Sequence, residues 1–246
     1  MKRSLKNITG YTIQGKDGVK GKVKDFLFDE EGWIVRYLDA DFKELKKEER
    51  ILIPTSSLQE TDWQEEIFHT GLNSDEIESS PTLKEELPVS RRYEKELNKH
   101  YNLDVYWPFM YHASVGAPVL YPPRPLRTPS KMIDEEEIDT SLRSFSEVKG
   151  YHIRAKDDTL GEVIDLIVDD EDWQVVYMIA DTSRWRPWSK QVILSVNWLE
   201  KIRYMGREVS VDLTTGQVKD APEFDPSHPI DMDYEKVLEE YYEQLQ

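Results

Sequence analysis

The sequence predicts a mainly β molecule: two tandem small β-barrels, each followed by a short α-helix and related by a pseudo-two-fold duplication. Three observations predict it. The chain is written twice: GYTIQGKDGVKGKVKDFLFDEEGWIVRYLDAD from Gly10 returns as GYHIRAKDDTLGEVIDLIVDDEDWQVVYMIAD from Gly150, and self-similarity at so long a period means duplicated domains rather than a solenoid. Within each copy, short β-branched runs follow one another at close spacing with acidic turns between them, the pattern of strands and hairpins. After each set of strands come a polar turn, a proline-bearing tether and one helical pattern, YEKEL from Tyr93 and YEKVL from Tyr234.

In the second copy, Val163, Leu166 and Val168 define one strand and Val175, Tyr177 and Ile179 the next, joined by VDDEDW; FDEEGW does the same in the first. Asp and Gly in these connections suit the tight backbone of a hairpin. A third run covers Arg50–Pro54 and Gln191–Ser195, and Thr55–Leu58 and Val196–Leu199 suggest one helical turn each. Paired short strands follow, Leu58–Asp62 with Glu66–Thr70 and Lys201–Tyr204 with Glu208–Val211. Five or six short strands favour closure into a barrel, which removes exposed edges. The last helix is expected from about Asp231 to Tyr242 with Asp231 as N-cap. Tyr234, Val237, Leu238 and Tyr241 line one apolar stripe, and so short a helix must dock to persist in water.

These patterns divide the chain into residues 1–102, a connector over 103–144, and residues 145–246. The connector opens rich in proline and aromatics, YWPFMYH among them, and ends polar and acidic. Its aromatic half is expected to lie against the barrels. The net charge is −17, with −4 in the first part, −2 in the connector and −11 in the last. So acidic a surface repels phosphate backbones and anionic lipid heads, so nucleic acid is excluded as a partner. No window approaches the ~20 apolar residues of a membrane span, so direct membrane insertion is not expected. There is no cysteine, which removes disulfides, thiolate catalysis and Cys-based metal sites and fits a reducing, cytoplasmic location.

The opening Gly150-Tyr151, the turn Asp158–Gly161 before Val163, the acidic hairpin Val168–Trp173, Ala180-Asp181 and the strand Val192–Ser195 together resemble the PRC-barrel family. That fold occurs in the cytoplasmic part of the photosynthetic reaction-centre H subunit and in one domain of a ribosome maturation factor. The second copy is similar to the second half of bacterial tandem PRC-barrel proteins, where a Trp-bearing loop precedes a Val-Leu-Ile-Ser strand. There Leu213-Thr214, Ala221–Pro226 and Tyr234-Glu235 match the closing segment. The resemblance covers about 200 residues and implies adaptor or scaffold use. It also leaves open a reaction-centre H-subunit-like role supporting photosynthetic electron transfer, or small-ligand binding.

No catalytic constellation is present. The five histidines are dispersed, no HExxH, GxSxG, GxGxxG or Walker-type motif occurs, and no cofactor, metal or catalytic residue is assigned. The acidic turns Asp29–Glu31 and Asp169–Asp172 lack the spacing that wraps one cation and read as charge on solvated hairpins. Asp25 and Asp165 are carboxylates inside strands; they either face solvent or accept backbone N–H bonds at a barrel corner. The sharpest signal is the loop SRWRPWSK, whose Arg184, Trp185, Arg186 and Trp188 are the residue types of binding hot spots. The first copy has the charged KELKKEER there. Tyr106 and Trp107 in the connector form a second candidate platform. The expected partner is another protein, with a homodimer as a further option.

Overall fold

The computed structural model describes residues 1–45, 50–81, 89, 91–104, 106, 142–182, 191–225, 230 and 232–244. It is mainly β, with two mixed seven-stranded sheets and a few helices. The first half supplies β1 (Lys2–Ser4), α1 (Leu5–Ile8), β2 (Thr12–Gln14), β3 (Lys20–Asp29), β4 (Ile34–Asp41), β5 (Ile51–Pro54), β6 (Leu58–Asp62), β7 (Ile67–Thr70), α2 (Ser74–Glu78) and α3 (Arg91–His100). The second supplies β8 (Leu142–Ser144), α4 (Phe145–Val148), β9 (His152–Arg154), β10 (Thr159–Asp169), β11 (Val175–Asp181), β12 (Gln191–Ser195), β13 (Leu199–Arg203), β14 (Glu208–Val211), α5 (Thr215–Asp220) and α6 (Met232–Glu243).

The two sheets have the same order, β5-β4-β3-β2-β7-β6 and β12-β11-β10-β9-β14-β13. All neighbours are antiparallel except β2 with β7 and β9 with β14. In each sheet the end strands are consecutive in the chain, joined through a single 3₁₀ turn at Thr55–Ser57 or Val196–Trp198. β3 runs from an alternating, half-exposed start to a fully buried end, from exposed Lys20 to buried Asp29. That change of pattern marks a strand that leaves the surface and ends between layers.

Each sheet takes its seventh strand from the other half. β1 pairs antiparallel with β10, Lys2 opposite Asp169 and Ser4 opposite Ile167. β8 pairs with β3 in the same way, Leu142 opposite Asp29 and Ser144 opposite Leu27. Leu142–Ser144, read from sequence as the end of the connector, is thus a strand of the first sheet. A four-residue helix follows each exchanged strand, capped by the side chain of Ser4 on Asn7 N (3.0 Å) and of Ser144 on Glu147 N (3.2 Å). These helices bury Leu5 and Ile8 in one case and Phe145 and Val148 in the other. The chain then turns into β2 or β9 through Gly10 (φ 93°) and Gly150 (φ 87°), a left-handed conformation that any Cβ would strain. Most buried apolar residues of both halves form one continuous cluster, and Leu27, Tyr37, Leu52, Val89, Leu97 and Leu142 form a second.

Between the halves, the β3–β4 and β10–β11 turns meet head to head. Val35 N donates to Trp173 O (2.9 Å) and Val175 N to Trp33 O (2.7 Å). Trp33 (φ 56°) and Trp173 (φ 61°) are both left-handed, a costly conformation for a bulky residue that persists only where its surroundings enforce it. Here it lets each tryptophan carbonyl face the other half while the indole stays buried. The Trp33 ring stacks on Phe28 at 5.3 Å, and the Trp173 ring reaches across to Phe26 and Phe68 of the first half at 6.3 and 5.8 Å.

The two longer helices pack on the outer faces. In α6, Leu238 (1% exposed) and Tyr242 (6%) are buried, while Val237 is 50% exposed. The sequence puts Val237 on the docking stripe; the structure puts Tyr242 there, its hydroxyl donating to Ile193 O at 2.5 Å. Asp231, the expected N-cap, lies outside the described residues. α3 docks likewise, with Leu97 buried against Leu27, Tyr37 and Leu52 and the Tyr37 hydroxyl donating to Asn98 Oδ1 at 2.8 Å. Leu238→Ala is therefore expected to cost about 2–5 kcal/mol in a denaturant titration, and Val237→Ala within about 0.5 kcal/mol. Equal costs would mean that the helix rests on its other face.

Candidate functional site

Among the buried polar groups, Asp25, Asp29, Arg143, Ser144 and Asp165 gather where the exchanged arms cross the opposite sheet. Asp25 (3% exposed) and Asp165 (6%) sit within β3 and β10. Asp165 accepts from the Ser4 hydroxyl, from Lys6 N (3.1 Å) and from Leu166 N (2.8 Å). Asp25 accepts from the Ser144 and Ser146 hydroxyls, from Ser146 N (3.0 Å) and from Phe26 N (2.8 Å). Both carboxylates do accept backbone N–H bonds, but half of those donors come from the other half of the chain. Ser4 and Ser144 each cap a helix and clasp a carboxylate.

The acidic turns complete the clasp. Arg3 Nε donates to Asp170 Oδ2 (2.9 Å), and Arg143 Nε to Glu30 Oε2 (2.8 Å). Lys2 Nζ lies 2.7 Å from Asp169 Oδ2, and in the first half Asp29 instead takes Arg36 Nε at 2.8 Å. Read from sequence as solvated hairpin charge, these turns are instead the anchors of the arms. Burial pushes the Glu30 carboxyl above the ordinary carboxylate range, against the opposing pull of Arg143. Asp29, Glu30, Asp169 and Asp170 of these turns thus each face a cationic side chain; among the described residues no group of three or more His, Asp or Glu could hold a metal ion.

One feature occurs in the first half only. Opposite Asp25 on β4 stands Asp39 (2% exposed), and opposite Asp165 on β11 stands Ile179. Arg50 covers Asp39 with Nε at 2.6 Å from Oδ2 and Nη2 in ion-pair contact, and lies 3.8 Å from Asp25. Together with Lys24, Asp41 and Ser146 these residues line an open cleft of about 370 Å³. Burial pushes the Asp39 carboxyl up despite the Arg50 hydrogen bond. The cleft can hold a proton on a carboxyl and present a half-exposed guanidinium. Its carboxylate oxygens are already engaged by Arg50 and by the arm serines.

Asp165 gives a pH test of the clasp. Burial raises its pKa above the usual value, with Ser4, Lys6 and Leu166 opposing. A carboxyl whose folded pKa lies above its unfolded value contributes stability below the unfolded pKa of about 3.9, and that contribution is lost as pH rises through the folded value. Asp165→Asn keeps a neutral acceptor, so its melting temperature relative to the parent should rise between pH 4 and pH 7. A constant offset across that range would contradict the raised pKa.

Of the sequence-selected candidates, Tyr106 lies beneath the Arg36 guanidinium, 4.0 Å from its ring centroid. This ties the start of the connector to the β4 face. Arg184, Trp185, Arg186, Trp188 and Trp107 lie outside the described residues. His100 bonds Glu76 O at 2.8 Å, and His152 stands 3.8 Å from Glu162; the two do not share a site.

The fold and these contacts define a mainly β molecule whose two sheets are clasped by exchanged arms. No helix among the described residues is long and apolar enough to cross a membrane. No protein-family model matches the chain, and no curated protein matches it.

Proposed function

We propose that the protein is a non-enzymatic binding protein, an adaptor made of two tandem PRC-type barrels that arose by duplication and work in the cytoplasm. The observation that carries this reading is the use of the buried carboxylates. Asp25, Asp165 and Glu30, the groups that acid–base chemistry would draw on, are all engaged by residues of the opposite half. They fix two similar sheets in one mutual orientation, which suits presentation of a surface rather than turnover. The matching strand orders, with end strands linked through one tight turn, support barrels. The partner surface is assigned to the Arg184–Trp188 loop, because it is aromatic in one copy and charged in the other, and fold-imposed packing would apply to both.

The test compares the full chain with its Trp185→Ala/Trp188→Ala variant, both immobilised, with retained proteins from the native cell quantified by mass spectrometry. At least one protein should drop about tenfold or more in the variant, with melting temperature unchanged. Identical retention would remove the loop from the proposal. Any turnover abolished by Asp39→Asn would overturn the non-enzymatic reading.

A further inference from the structure

The two halves differ at one equivalent place in a way that leaves a space. In the first half the β6–β7 turn carries Trp63. Its indole lies over the Arg3 guanidinium at 3.9 Å and packs on Phe68 (5.9 Å) and Tyr11 (6.3 Å). The corresponding β13–β14 turn carries Tyr204, with matching backbone geometry: Glu66 (φ 57°) and Arg207 (φ 47°) are both left-handed. Their carbonyls accept from Thr12 N and His152 N, each at 2.9 Å. Yet Tyr204 does not fold back. It is 42% exposed beside Met205 at 94%, and among the described residues no ring packs on it and none covers Arg143, the counterpart of Arg3.

Beside Tyr204 lies a pocket of about 340 Å³ lined by Glu147, Tyr151, Tyr204, Met205 and Arg207; Tyr151 is the counterpart of Tyr11, on which Trp63 packs, and here the Arg207 guanidinium lies over its ring at 5.2 Å. That volume falls in the range of small-ligand sites, roughly 300–1,000 Å³. Its polar groups are incompletely matched. Tyr151 donates to Glu147 Oε1 at 2.7 Å, while Glu147 Oε2 is buried with no hydrogen-bond partner. Behind the pocket lining, Arg143, with its side chain 8% exposed, has a buried Nη1 without a hydrogen bond 4.0 Å from that carboxylate. Asn7 occupies the position of Glu147 in the first half, so the charged acceptor and the empty space occur together.

We propose that this pocket binds an indole-type ring, a flat aromatic group with one N–H donor, in the place that the protein's own Trp63 fills in the other half. The ring face meets the Arg207 guanidinium, as Trp63 meets Arg3, and the N–H donates to Glu147. The inference rests on the binding-protein reading and names the chemistry of what is bound. The ring can come from a tryptophan side chain of a partner or from a free small indole.

Ligand-observed saturation-transfer NMR on the full chain separates the outcomes, using indole, 1-methylindole, N-acetyltryptophanamide and N-acetylleucinamide as probes. Indole should bind and N-acetylleucinamide should not. The 1-methyl compound, lacking the donor, should bind about tenfold or more weakly, as expected for a hydrogen bond to a charged group. Binding of N-acetyltryptophanamide assigns the ring to a partner's side chain; its exclusion while indole binds assigns a free indole. Tyr204→Trp, which rebuilds the self-filled first half, should abolish binding. Should that variant not fold, Glu147→Met serves: it removes the oxygen acceptor and should erase the preference for indole over its methylated form. No indole binding, or binding unchanged by either variant, overturns the pocket assignment and leaves the adaptor reading standing. Recovery of chemically altered probe would overturn the adaptor reading while keeping the pocket.

Discussion

Leu5→Ala is expected to destabilise both sheets together by about 2–5 kcal/mol, and Phe145→Ala to do the same from the other arm. Leu5 is fully buried and Phe145 is 4% exposed, and each belongs to a four-residue helix too short to hold itself. α1 packs on β10 and α4 on β3, so each truncation leaves a cavity between an arm of one half and the sheet of the other. Amide exchange followed during urea unfolding should show β3 and β10 losing protection in one transition for either variant. Two separated transitions, with only the half that contains the mutation affected, would mean that the arms are accessories and the halves fold independently.

Asp25→Ala is the second large effect, at about 2–5 kcal/mol at neutral pH, because each buried donor left without an acceptor costs about 1–3 kcal/mol. The side chains of Ser144 and Ser146 can turn to other acceptors, but the amides of Ser146 and Phe26 cannot. Ser144→Ala and Ser146→Ala should cost less, since Asp25 keeps its two amide donors. A double-mutant cycle between Asp25 and Ser146 should return a coupling of about 0.5–3 kcal/mol. Additive losses would show that the clasp seen between β3 and α4 does not bind the halves in solution. Asp165→Ala should behave alike, with Ser4 as its partner.

The repeat, the strands and the turns were legible because each follows from local pattern. Ile51–Pro54, the turn at Thr55–Ser57 and Leu58–Asp62 fall where β-branched runs and their boundaries place them. The docked helix was legible from its stripe, except that Val237 and Tyr242 exchange roles: both are compatible with one helix face, and only the position of Ile193 on the sheet selects between them. Asp25 and Asp165 stood out as carboxylates in apolar strands, but the donors that reach them from the other half lie 119 to 161 residues away in the chain, beyond the reach of periodicity. Asp39, with Ile179 at the same place in the other copy, was visible as a difference and went unselected, because a single carboxylate gains meaning only when Arg50 covers it. A signal for the arms was present: RSLKNI at Arg3 and RSFSEV at Arg143 place the serine cap and the apolar pair alike.

Sequence by itself determined the two copies, their strands and hairpins, the acidic turns and the dependence of the terminal helices on docking. These follow from side-chain period, turn chemistry and repetition, all of which act over a few residues. Tertiary structure alone decided that the arms cross over, that the acidic turns are anchors, and that Trp63 lies over Arg3 while Tyr204 stays exposed. Each of these depends on which distant group stands opposite. A short arm satisfies its backbone equally well on either sheet, and only the packing of both halves around Trp33 and Trp173 selects one.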